Sequence, residues 1–166
     1  MIAYLGWTEA GTSRNKKLTV LMKLYTIGFT GKTAREFFSL LNSADARFLA
    51  DIRLRNNSQL AGFTKRGNIE YFTEKLTGMT YLELPFLAPS VQMFKDIKSG
   101  GAWSIYERRY ARLMEERDSS GRFPSKLLEH GLVLLCAEPT PDNCHRRLAA
   151  EHLKATRFPD MEILHL

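Results

Sequence analysis

The chain has 166 residues, 44% of them hydrophobic and 25% charged, and a formal net charge of +6. That length suffices for one domain with an apolar core of its own, and no apolar run approaches the roughly 18 to 20 residues of a membrane-spanning helix. Its two cysteines, Cys136 and Cys144, do not make a secreted disulfide framework, so a reducing, cytoplasmic setting is expected.

Residues 1–21 place their basic side chains after the first apolar stretch, the reverse of a secretory signal. They read as an extension of uncertain role ahead of a single α/β domain over residues 22–166. Lys23–Phe29 (KLYTIGF) reads as a buried strand, followed by a turn at Gly28, Thr30, Gly31 and Lys32 and an amphipathic helix over Thr33–Leu41.

The pattern restarts with a strand at Arg47–Arg53 (RFLADIR), a polar loop, a helix over Asn68–Leu76 and a strand at Thr80–Pro85. A short helix is expected between Pro89 and Ile97. A long surface helix follows over Ala102–Asp118, with Trp103, Tyr106, Tyr110, Leu113 and Met114 along one side. A further short helix over Pro124–His130 leads to the most strand-like run of the chain, Leu132–Cys136. A helix from about Cys144 to Thr156 and a last strand, MEILHL, complete the alternation.

Alternating strands and helices predict an open, mostly parallel sheet of about five strands with helices on both faces, a Rossmann-like three-layer sandwich. Such sheets bind ligands at the carboxyl ends of their strands. Cys136 falls at such an end.

The densest group of reactive side chains is CAEPTPDNCHRR, Cys136 to Arg147. Cys144 stands where a helix begins, and the macrodipole together with Arg146 or Arg147 favours its thiolate. His145 and Glu138 supply acid–base groups. Adjacent helical residues point about 100° apart, so pairing of His145 with Cys144 or with Cys136 is left open. Both cysteines also suit core packing. A metal reading takes Cys136, Cys144 and His145, completed by Glu138 or His152, although the spacing matches no common zinc motif.

A second group lies in ADIRLRNNS. Arg53 and Arg55, with Asn56, Asn57 and Ser58, form a cradle for phosphate or carboxylate, while Asp51 and Arg53, two apart on a strand, can equally satisfy each other. Thr26 and Gly28, at the end of the first strand, are candidates for anion contact through backbone N–H groups. Aromatic residues such as Trp103 and Tyr106 offer stacking platforms beside the basic residues, though most are expected in the core. The positive charge favours an anionic small molecule or nucleic acid as partner. No cofactor is expected.

YTIGFT at Tyr25–Thr30, DIR at Asp51–Arg53, YLELP at Tyr81–Pro85 and CAEPTPDNCHRRLAAEHL at Cys136–Leu153 together resemble the domain of unknown function 488 (DUF488) family. The resemblance covers nearly everything after Met22 and implies a compact α/β domain without an assigned activity. It points to Asp51, Arg53, Cys136, Glu138, Cys144, His145 and Arg146, facing one cleft. One departure is visible. The family's first strand commonly ends in Ile-Gly-His-Ser, whereas Phe29 and Thr30 follow Ile27 and Gly28 here.

Three functional readings follow. The first is an enzyme acting on a phosphate-bearing substrate such as a nucleotide or nucleic acid. Arg53, Arg55 and Arg146 bind the anion, Cys144 or Cys136 is the nucleophile, and His145, Glu138 or Asp51 moves protons. The second is a non-catalytic nucleic-acid-binding module, and the third is the metal-binding domain.

Overall fold

The computed structural model describes residues 22–57 and 61–166. The proposed extension over residues 1–21, and Ser58 of the candidate anion loop, lie outside the described residues. Five strands, β1 (Lys23–Gly28), β2 (Phe48–Asp51), β3 (Thr80–Glu83), β4 (Leu132–Cys136) and β5 (Glu162–His165), form one sheet in the order β3-β2-β4-β1-β5. Every pairing is parallel.

The helices are α1 (Ala34–Ser43), α2 (Asn68–Thr77), α3 (Val91–Lys98), α4 (Trp103–Glu116), α5 (Ser119–Arg122), α6 (Lys126–Glu129) and α7 (His145–Thr156). Single 3₁₀ turns occur at Gly62–Thr64 and Pro85–Leu87. Thr33 caps α1 in a reciprocal box with Glu36, and the Ser90 hydroxyl caps α3 by accepting from the Met93 N–H. None of the described helices is long and apolar enough to cross a membrane.

The strands sort their side chains with period two. Tyr25, Ile27, Leu49, Val133 and Leu135 pack with Phe37, Phe38 and Leu41 of α1 and Ile69 of α2. On the opposite face Leu24, Ala50, Leu132 and Leu134 pack with Met93, Tyr106, Tyr110, Met114, Leu128, Ala149, Ala150 and Leu153. All five residues of β4 are buried, as expected of a strand enclosed on both faces. The result is the three-layer α/β arrangement expected from the alternation, consistent with a Rossmann-like open sheet.

Strand order decides where a ligand can enter. β4 lies between β1 and β2, whose chains leave toward α1 and α2 on one face, while its own chain leaves toward α7 on the other. Loops diverging from neighbouring strand ends leave a crevice. Here the divergence occurs on both sides of β4, and the chain emerging from its end is Cys136-Ala137-Glu138.

Candidate functional site

A cleft of about 1410 Å³ opens at this edge. Its walls come from the loops after β1 (Phe29 to Lys32), β2 (Arg53 to Asn57, then Ala61 to Phe63) and β4 (Ala137, Glu138, Asn143), with His145 and parts of α3 and α4.

Behind the Glu138 and His145 wall sits a compact sulfur cluster. The Cys136 and Cys144 sulfurs are 2.7 Å apart, and both cysteines are free thiols. Cys144 Sγ also lies 3.1 Å from Glu138 Oε2, to which its protonated form donates. Cys144 is the N-cap of α7, with extended backbone (φ −135°, ψ 135°), and its sulfur accepts from the Arg146 N–H at 3.4 Å. The helix thus begins at about Cys144 as expected, with Cys144 itself its cap, and the 100° rule for helical neighbours does not govern the Cys144–His145 pair.

Arg146 is fully buried beneath the cluster. Its Nη1 donates to Cys136 Sγ at 2.9 Å, to the Glu138 carbonyl at 2.6 Å and to Cys144 Sγ at 3.4 Å. Its Nε is buried without a partner among the described residues. A guanidinium does not lose its charge, so it biases both sulfurs toward the anion. The approach requires Gly28. A Cβ there would overlap the Glu138 carbonyl oxygen and stand 2.7 Å from Arg146 Nη1.

Burial opposes ionisation of Cys144, but hydrogen bonds with Cys136 and His145, and the charge of His145, outweigh it and bring the thiol down to about 6. Burial likewise opposes charge on His145, yet its hydrogen bond with Cys144 and the nearby Cys144 and Glu138 charges raise its pKa. His145 Nε2 lies 3.0 Å from the Ile52 carbonyl. A carbonyl only accepts, so Nε2 carries a proton. Burial pushes the Cys136 thiol well up, which keeps it a neutral donor beside Cys144. Glu138 is lowered despite burial, chiefly by His145. The set favours one thiolate, Cys144, facing an imidazolium and a carboxylate.

The second group divides. Arg53 grips Asp51 with two bonds, Nε to Oδ1 at 2.9 Å and Nη2 to Oδ2 at 2.6 Å, and donates to the Thr64 carbonyl at 2.8 Å. The Tyr81 hydroxyl donates to Asp51 Oδ2 at 2.8 Å, and burial together with the Asp51 charge raises the pKa of Tyr81. Asp51 is thus buried in a closed network and does not line the cleft. Arg55, Asn56 and Asn57 do line it. Thr26 is buried within β1 and shares a 2.7 Å hydrogen bond with His165 Nδ1.

Of the sequence-derived candidates, Arg53, Arg55, Glu138 and His145 meet at the cleft. Cys136, Cys144 and Arg146 lie directly behind it, and Asp51, Thr26 and Gly28 are set in the scaffold. The expected metal set is rearranged. The donor atoms of Cys136, Glu138 and Cys144 lie within 4.8 Å of one another, but His152 is bonded to Ser120 at 3.0 Å instead. The Arg146 guanidinium against both sulfurs suits a thiolate better than a divalent cation.

Lys32, Lys98 and Asn143 also line the cleft, and sequence reasoning did not single them out for the site. With Arg53 and Arg55, the described lining carries four Lys and Arg side chains, besides His145, against one carboxylate, Glu138. Trp103 and Tyr106 line it too, their rings stacked at 4.7 Å, and Tyr106 stacks on toward Tyr110 at 6.2 Å. The spacing 103, 106, 110 is the helical signal that marks this row.

A family model described as "Domain of unknown function DUF488" matches residues 33–153 of the chain. No curated protein and no solved structure matches it.

Proposed function

Because the chain belongs to the DUF488 family, whose description assigns no activity, we propose a function from the site alone: an enzyme that attacks a phosphate-bearing substrate with the Cys144 thiolate. The observation that carries this reading is Cys144 at the α7 N-cap, lowered to about 6 and placed behind a cleft wall formed by its own partners, Glu138 and His145.

Lys32, Arg55 and Lys98 attract the anion, and Asn56, Asn57 and Asn143 add neutral polar groups around it. Cys144 attacks phosphorus as the Glu138 carboxylate moves aside, forming an S–P bond while a P–O bond breaks. The His145 imidazolium gives its proton to the leaving oxygen, and the neutral imidazole then takes a proton from the water that hydrolyses the S–P bond. Arg146 and the Cys136 thiol hold the sulfur anionic without touching substrate.

The test uses para-nitrophenyl phosphate as a generic ester. Turnover with a phosphoryl adduct on the Cys144 peptide after acid quench supports the reading, with Cys144→Ser costing roughly 10³-fold or more in kcat. Absence of both turnover and adduct overturns it for phosphate monoesters. The four Lys and Arg side chains and the Trp103 ring favour a second reading, a nucleic-acid-binding module, which predicts steep salt dependence of binding and indifference to Cys144→Ser.

A further inference from the structure

Cys136 ends the central strand and Cys144 caps the next helix, eight residues on. The intervening segment, with Pro139 and Pro141, folds back so that the sulfurs stand 2.7 Å apart. Packing alone accounts for burial of two cysteines. It does not account for a fully buried guanidinium whose Nη1 reaches both sulfurs, or for a glycine that admits it. The sulfurs also differ chemically. Cys144 is the thiolate, whereas burial and the neighbouring Cys144 and Glu138 charges keep the proton on Cys136.

We propose that Cys144 and Cys136 form a peroxide-reducing dithiol, in which Cys144 attacks a small hydroperoxide and Cys136 resolves the product. In the first step the Cys144 thiolate attacks the terminal oxygen of ROOH. An S–O bond forms, the O–O bond breaks, and RO⁻ takes a proton from the His145 imidazolium and leaves as ROH. In the second step the Cys136 sulfur attacks Cys144–SOH. The S–S bond forms, the S–O bond breaks, and hydroxide leaves as water with the Cys136 proton, passed on by His145 or Glu138. The peroxide is reduced by two electrons, both from the sulfur pair, and an external dithiol returns the pair to its starting state.

The steps use only the sulfurs, the Arg146 charge and a proton donor, and do not require a phosphate substrate. Cys144 is only 1% exposed, with Glu138 and His145 between it and the cleft. A peroxide therefore reaches it by the same outward movement of the Glu138 side chain that attack on a phosphate ester requires, and the smallest peroxide needs the least of it.

The reduced full-length protein is treated with one equivalent of hydrogen peroxide near neutral pH, with thiol titration and non-reducing peptide mass spectrometry as readouts. The expected result is loss of both thiols per peroxide consumed, a Cys136–Cys144 cross-linked peptide, recovery with dithiothreitol, and a rate at least about tenfold above that of the urea-unfolded chain. Cys136→Ser stops at a sulfenic acid that dimedone traps on Cys144, and this variant keeps the test decisive whether or not the disulfide is stable. Native thiols that survive peroxide, or react no faster than unfolded ones, overturn the proposal. A dimedone adduct on Cys136 in the Cys144→Ser protein, formed at the wild-type rate, overturns the assignment of roles. Failure here with para-nitrophenyl phosphate turnover intact removes the peroxide activity alone.

Discussion

Gly28 and Glu138 approach so closely that no side chain fits between them: a methyl group at position 28 would overlap the Glu138 carbonyl oxygen. The same carbonyl accepts from Arg146 Nη1 at 2.6 Å, so one contact fixes the height of the β4–α7 loop and the position of the guanidinium. Gly28→Ala is expected to destabilise the protein by about 1–3 kcal/mol, the usual cost of overpacking. It should also raise the Cys144 pKa as Arg146 is pushed off the sulfurs. Urea unfolding and the pH profile of alkylation measure the two effects. Unchanged values would mean that the loop shifts freely.

Cys144 should react with iodoacetamide along a curve whose midpoint lies near pH 6, with Cys136 inert until unfolding. His145→Gln removes the opposing charge and should move the midpoint up toward an ordinary thiol. The linked stability has a definite sign. A lowered thiol pKa contributes stability that is fully present above the unfolded value and is lost as pH falls through about 6. The raised pKa of His145 works oppositely, its share being lost as pH rises through the folded value. Urea midpoints should therefore fall on acidification through pH 6 in the native chain and fall less in Cys144→Ser.

Asp51→Asn is expected to cost about 3–5 kcal/mol, because it leaves the Arg53 guanidinium, whose side chain is 6% exposed, without a counter-charge. Chemical denaturation checks this. If Asp51 instead carried protons in turnover, the variant would stay folded at wild-type stability and lose kcat.

Lys32, Arg55 and Lys98 line the cleft without touching the sulfur cluster. Replacing each by alanine should raise KM for a phosphate ester by up to about fivefold, the factor that 1 kcal/mol makes, with kcat held. Added salt should shrink the difference. A fall in kcat with unchanged KM would reassign these residues to the chemical step.

Much of the fold was legible because apolar runs and helical spacing are local properties. Leu132–Cys136 and Asn68–Thr77 lie where their patterns put them. Strand order is not local. Nothing in the spacing of Asp51 and Cys136 says that β4 inserts between β1 and β2, and that insertion places the sulfurs at the crevice. The candidate site was legible as a set of residues but not as layers. Arg146 was assigned to anion binding by its charge, yet it is three, four and seven residues before Ala149, Ala150 and Leu153 and so shares their buried face. For Asp51 and Arg53 the structure shows the second of two evenly weighted readings, the one in which strand neighbours satisfy each other. Lys32 and Lys98 belong to segments far apart in sequence and meet only because the sheet brings their loops together.

The divergence of loops on both sides of β4 also separates two tasks. The reactive sulfurs, their guanidinium and their imidazole all come from one continuous stretch, Cys136 to Arg146, anchored on the central strand. The opposite walls of the cleft come from the loops after β1 and β2 and from α3 and α4. Under the proposed function, exchanging those outer segments would retune which molecules are admitted while the sulfur cluster stays in place, so recognition could change by loop replacement without rebuilding the proposed reactive centre.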